Sequence, residues 1–564
     1  MRRSTRLLGL ASCLSAVFLI AQEAVWGQGR GEGLDPADIL KPLGDSWPTY
    51  SGDYSGRRHS ALTQINQANV KNLTLAWVAR ITAGFGGPPS SGAAPTIVGG
   101  EGTGEIAAGG GNNIRGAVLA VNGMLYLSTP DNAWAIDARD GRELWHYFWK
   151  TKGGTHIGNR GMGMWRNSLY FETPDNYLVS LDARTGKERW HKEIASFAQE
   201  YFSTTAPVVV GNHVLVGTGN DLDAPGFLQS FDPETGELQW KFYTVPMNPG
   251  DPGLETWRNL DAARHGGAQA WLPGAYDPET HLYIIGTGNP TPAYTSQTRG
   301  EGDNLFTCAL VAINVDTGKM AWYYQTSPHD THDWDSAQTP VLADAPFNGR
   351  MRKLVLTAAR NGYYFTVDRL TGEHLVTGKF SETANWAKGL NAKGQPVRDP
   401  KKDHDIAGAL VSAANGGATN WPPPSFSPDT GLFYAPLSES WAMYYLAETD
   451  PRGAMGLGGK EEIGLGGEAF LVAIDYKTGK VVWKQKYPSV AGGGGGMGVL
   501  TTAGRLLFAG DAGGNLVARD PATGKPLWHA HLGNVSNAPE TYALDGHQYV
   551  LVAGGDALYA FTLY

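Results

Sequence analysis

Ala135–Trp145 reads AIDARDGRELW, and the same pattern returns as SLDARTGKERW at Ser180–Trp190 and SFDPETGELQW at Ser230–Trp240. It appears again as AINVDTGKMAW (Ala312–Trp322), AIDYKTGKVVW (Ala473–Trp483) and ARDPATGKPLW (Ala518–Trp528). A seventh copy, TVDRLTGEHLV (Thr366–Val376), carries valine where the others carry tryptophan. Each copy reads as an apolar strand ending at Asp or Asn, a turn with glycine at a positive-φ position, and a second strand delivering Trp to a buried face. Such units of short strands cannot cover both faces alone, so neighbours must stack, and the radial solution is a β-propeller. Three of the gaps between successive Trp copies (145 to 190, 190 to 240 and 483 to 528) are 45 to 50 residues long. The wider gaps leave room for inserted loops. With the entry stretch SALTQINQANVKNLTLAW leading into one more strand, the count predicts an all-β, eight-bladed propeller.

Composition agrees with this. Among 564 residues there are 76 glycines and 18 tryptophans, which suits many short strands joined by tight turns. The net charge of -9, without a basic block, argues against a nucleic-acid partner. The N-terminus places Arg2, Arg3 and Arg6 before a short apolar run, LLGLASCLSAVFLIA, which reads as a secretory signal ending near Gly27. No later stretch is apolar and long enough to span a membrane. We therefore expect residues 1–27 to be a signal, residues 28–564 to form one exported domain, and the protein to be periplasmic. The chain's two cysteines are Cys13 and Cys308, so the exported part has no internal disulfide and no Cys-x-x-Cys-His for covalent haem. Gly84–Arg115, Glu382–Gly417 and Ala491–Gly496 read as loops.

Chemistry concentrates in Tyr323–Ala337, YYQTSPHDTHDWDSA, with Asp330, Asp333, Asp335, His329 and His332 within seven residues. By itself this fits either a solvated acidic turn or a functional loop at a strand end.

Together with the blade repeat, four further stretches give the chain its resemblance to the pyrroloquinoline quinone (PQQ)-dependent alcohol dehydrogenases. They are TGNDLDAPGFL, GGAQAWLPGAYDP, GTGNP and the DWD of the acidic stretch. The resemblance covers nearly all of the exported part. It implies Asp221, Asn289 and Asp335 as ligands of a calcium ion, and Asp335 as general base. It implies Arg360 beside the reacting quinone carbonyl, Trp271 stacked on the quinone, Arg160 and Thr204 on its carboxylates, and Asn420 and Trp421 lining the cavity. Hard oxygen donors favour calcium over zinc or copper. Relatives that use lanthanides carry a second aspartate two positions after the base, where this chain has Ala337. Other departures are Gly154 and Thr155 where many members have paired cysteines, and Arg115 where an acidic quinone contact is usual. A tryptophan that some members carry is missing at Gly495–Met497. The implied activity is oxidation of a small primary or secondary alcohol, with electrons passed to a separate acceptor such as a soluble cytochrome c. A PQQ-dependent sugar or polyol dehydrogenase, or a non-catalytic scaffold propeller, are the alternatives.

Overall fold

A computed structural model describes residues 33–81, 94–104, 113–404, 406–446, 460–488 and 497–564. The expected signal segment and the glycine run 491–496 lie outside the described residues. Among the described residues, eight mainly antiparallel sheets of four or five strands account for almost all the regular structure. Most are simple meanders in sequence order. Val208–Val210, His213–Thr218, Phe227–Phe231 and Leu238–Tyr243 pair in that succession.

The repeat explains both the turn and the packing between sheets. At Asp182 the carboxylate accepts hydrogen bonds from Thr185 N (3.1 Å) and Thr185 Oγ1 (3.0 Å), and Gly186 follows at φ 68°. Gly186 has a second reason to lack a side chain: a Cβ there would lie 2.6 Å from the Trp145 indole of the preceding sheet. Trp145 Nε1 also donates to Ala183 O at 3.0 Å. Five of the six repeat tryptophans thus lie on a glycine turn of the next sheet, Trp528 lies on the glycine-free turn before Leu73, and most donate to a backbone carbonyl there. The contacts run from Trp240 to Val315 O, Trp322 to Arg369 O, Trp483 to Pro521 O and Trp528 to Leu73 O. Trp77, outside the seven copies, completes the circuit by donating to Ala138 O at 3.2 Å. Where Val376 replaces Trp, the backbones of Gly378 and Gly479 move into direct contact instead.

The entry strand Thr74–Arg80 pairs antiparallel with Ala557–Thr562, so the last sheet is built from both ends of the described chain. Two regions read as loops contain strands. Thr96–Gly99 runs parallel to Glu143–Trp149, with Thr96 opposite His146. Within Glu382–Gly417, Ala387–Leu390 pairs with Pro396–Arg398, and Ala409–Val411 joins the long hairpin of Leu432–Leu446 and Lys460–Asp475. Neither region has alternating apolar residues, which is why pattern reading passed over them. No helix of the described residues is long and apolar enough to cross a membrane.

Candidate active site

The loops at one end of the sheets enclose a cavity of about 350 Å³. All nine residues singled out from the sequence line it: Arg160, Thr204, Asp221, Trp271, Asn289, Asp335, Arg360, Asn420 and Trp421. They come from segments more than 250 residues apart in the chain, brought together by the ring of sheets.

The acidic stretch is not a solvated turn. His329, Asp330, His332 and Asp335 are buried. Asp330 organises the loop, its Oδ2 accepting the backbone N–H groups of His332, Asp333 and Trp334 at 3.2, 2.9 and 3.2 Å. Burial still pushes its carboxyl up to about 6. His332 stacks on Trp334 with ring centroids 4.3 Å apart. These residues hold the loop in place, and they leave Asp333 and Asp335 on the cavity wall.

Asp335 is fixed by three donors. Its Oδ2 accepts from Trp271 Nε1 at 2.9 Å and Arg360 Nη1 at 2.8 Å, and its Oδ1 accepts from Asn289 N at 2.5 Å. Arg360 also reaches Asp333 Oδ1 at 3.4 Å and donates to Asn415 O at 2.7 Å. Burial raises the pKa of both aspartates, with Arg360 opposing. Burial disfavours the Arg360 charge, but Asp333 and Asp335 outweigh it and raise its pKa. A carboxylate lifted from its usual range is better suited to accept a proton at neutral pH.

Elsewhere in the lining, Arg160 Nη1 donates to Thr204 O at 2.9 Å. Its guanidinium carbon lies 4.6 Å from the centre of the Trp271 ring and 5.5 Å from that of Trp421. Burial lowers its pKa to about 10. Thr204 Oγ1 donates to Trp271 O at 3.3 Å. Asn420 Oδ1 accepts from Trp421 N at 2.8 Å and steadies the rim.

Asp221 has both oxygens engaged, by His156 Nε2 and by Gln269 Nε2, each at 2.8 Å. The hydrogen bond to Asp221 raises the pKa of His156. Asn289 gives its amide nitrogen to Pro290 O at 2.8 Å, which leaves its side-chain oxygen as the available donor atom. Among the described residues no three His, Cys, Asp or Glu side chains converge as a metal site. The oxygens here are a mixture of carboxylate and amide, the donor set that calcium takes.

His156, Phe202, Gln269 and Asp333 line the cavity without having been assigned a role from sequence, and Arg115 joins them as the noted departure. Gln269 had a readable signal. It stands two positions before Trp271 among small residues, a spacing that puts both side chains on one side of an extended chain.

Arginines, indoles, and carboxylate and amide oxygens thus meet in one cavity. Comparison with known proteins identifies the family. Residues 47–403 match the β-propeller domain of the PQQ glucose/ethanol/alcohol dehydrogenases, and residues 467–563 match a family described as outer membrane protein assembly factor BamB. The quinohemoprotein alcohol dehydrogenase of Comamonas testosteroni is 33% identical, over 97% of this chain and 78% of its own length. Its crystal structure superposes with a TM-score of 0.81, covering 94% of this chain and 82% of that one. A 1-butanol dehydrogenase (cytochrome c) of Thauera butanivorans is 30% identical, over 91% of this chain and 74% of its own length. A europium-containing methanol dehydrogenase structure, 25% identical, gives a TM-score of 0.80 over 93% of this chain and 99% of that one. With a matching family model over more than half its length and relatives at this identity, the chain belongs to the PQQ-dependent alcohol dehydrogenases.

Proposed function

We propose that this cavity oxidises a small primary or secondary alcohol, with PQQ and calcium held in the cavity that Trp271 and Asp335 line. The observation that carries the reading is the threefold anchoring of Asp335 beside Arg360, in a cavity that also gathers Asp221, Asn289 and Trp271. When bound, the quinone supplies the two-electron acceptor and the cation supplies Lewis acidity. Arg115, Arg160 and Arg360 place three cations around one cavity, which suits a tricarboxylate. Trp271 and Trp421 offer flat apolar faces. Asp221, Asn289 and Asp335 would hold the cation.

Proton transfer belongs to Asp335. Oδ2 already accepts two hydrogen bonds and Oδ1 accepts one, so the remaining lone pair lies on Oδ1. We assign uptake of the alcohol proton to that atom, with the proton taking the place of its contact with the cation or of its hydrogen bond from Asn289 N. Arg360, held by Asp333 and Asn415, keeps its guanidinium fixed where negative charge develops. Electrons must then leave. The chain has no Cys-x-x-Cys-His, and one relative carries cytochrome c in its name, which supports a separate cytochrome c as acceptor. Export to the periplasm is consistent with the N-terminal signal pattern.

The test is reconstitution of the full chain with PQQ and calcium, followed by alcohol-dependent reduction of an artificial dye in the absence of NAD. Failure to bind PQQ would refute the reading. Reduction of added cytochrome c by the loaded enzyme tests the acceptor, and an inert cytochrome beside a rapidly reduced quinone would reassign it.

A further inference from the structure

Gln269 is almost completely buried, at 1% exposure, yet it faces the cavity. Its Nε2 donates to Asn220 O at 3.2 Å and to Asp221 Oδ1 at 2.8 Å. Both partners accept, so the amide cannot be turned over without setting oxygen against oxygen. Oε1 is therefore directed away from them, and it is buried without any hydrogen-bond partner. An orphaned buried carbonyl costs about 1–3 kcal/mol. Such a cost is sustained where the oxygen meets something other than a protein donor.

The surroundings say what that is. Gly288 N donates to Gln269 O at 2.9 Å, and a Cβ on Gly288 would collide with Gln269 Oε1. The oxygen therefore lies against the residue preceding Asn289. Asn289 N in turn donates to Asp335 Oδ1. Gln269 is thus bonded to Asp221 through its side chain and to Gly288 through its backbone, and the next residue, Asn289, is bonded to Asp335; all four of Asp221, Gln269, Asn289 and Asp335 line the cavity.

We propose that Gln269 Oε1 is a further protein ligand of the cation, joining Asp221, Asn289 and Asp335. This rests on the calcium reading above. A set of two carboxylates and two neutral amide oxygens balances a divalent charge, and calcium accepts 6–8 oxygens, so a fourth protein donor fits its demand. Gln269 also holds Asp221 in position through Nε2, so one side chain would both orient a ligand and be one.

The experiment measures cation binding directly on the full chain loaded with PQQ. Calcium affinity is read by titration calorimetry. The number of waters on bound europium is read from its luminescence lifetime in H₂O and D₂O. For Gln269→Leu we expect calcium affinity to fall at least ~10-fold, and europium to gain about one water as the missing oxygen is replaced. Unchanged affinity overturns the assignment. Weakened affinity with an unchanged water count also overturns it, reducing Gln269 to a support for Asp221. Should the leucine variant fail to fold, Gln269→Glu keeps the volume and adds a charge. Its preference for lanthanum over calcium should rise at least ~10-fold over that of the unaltered chain, and no rise overturns the proposal. If the unaltered protein takes up neither cation, the calcium reading itself fails and the ligand assignment with it.

Discussion

Replacing Asp335 with asparagine separates the chemistry of this carboxylate from its place in the structure. The shape is kept, but the charge and one acceptor atom are lost. Asp335 satisfies Trp271 Nε1 and Arg360 Nη1 at one oxygen and Asn289 N at the other. An asparagine can keep only one of these faces. With its oxygen toward Trp271 and Arg360, its NH₂ meets the Asn289 N–H, and a buried donor is stranded at about 1–3 kcal/mol. Arg360 remains tied to Asp333 and Asn415 O, so the quinone side of the cavity should survive. The variant should lose about 1–3 kcal/mol of stability and still bind PQQ, as followed by quenching of tryptophan fluorescence. Turnover should fall at least ~100-fold, the scale of a lost general base. The assay is dye-linked alcohol oxidation at saturating PQQ and calcium. Near-normal turnover with PQQ bound would refute the assignment and move the base to Asp333.

Four further outcomes follow. Trp145→Ala should destabilise by about 3–5 kcal/mol in chemical denaturation. Val376→Trp, although it restores the repeat, should also destabilise, by about 1–3 kcal/mol, because Gly378 and Gly479 already touch there; a gain in stability from this substitution would contradict the packing described. Glu540 is buried, with both oxygens on Val118 N, and burial, against Arg58, raises its carboxyl from 4.5 to about 8. A raised folded-state value means its stabilising share is full below about 4.5 and is lost as pH rises through about 8. Glu540→Gln should therefore flatten the stability profile between these limits, and a parallel profile would place the pH dependence elsewhere. With Ala337 buried and unable to supply an oxygen, metal-free protein loaded with PQQ should be active with calcium and not with lanthanum; the reverse would implicate Asp333 as an added ligand.

The repeat made most of the architecture legible, because one Asp, one Gly and one Trp each have a separate physical duty and all recur in register. Trp77 escaped notice as a docking residue, since its partner turn lies at Ala138 and its own strand has no repeat before it. The parallel strand Thr96–Gly99 was hidden in glycine-rich sequence, where pairing with Glu143–Trp149 and not side-chain pattern defines the strand. Arg160, Trp271 and Asp335 were found through resemblance, but their contacts were not readable. That Arg160 stacks on Trp271, and that Asp221 is shared between His156 and Gln269, depends on loops from separate sheets meeting in space. The divided placement within His329–Asp335, where Asp330 braces the loop and Asp335 reaches the cavity wall, came from burial and hydrogen bonds that composition cannot show.

The joining of Thr74–Arg80 to Ala557–Thr562 has a kinetic consequence. Thr74 and Thr562 are 488 positions apart, and closing a loop of that size carries an entropic cost of about 5 kcal/mol before any contact forms. During synthesis the early strand must wait, with an unpaired edge, until the final residues emerge. This seam should be the last to assemble and the first to part under thermal stress, in step with the general slowness of long-range strand pairing. Aggregation, protease nicking and the damage done by short C-terminal truncations should all begin at this seam.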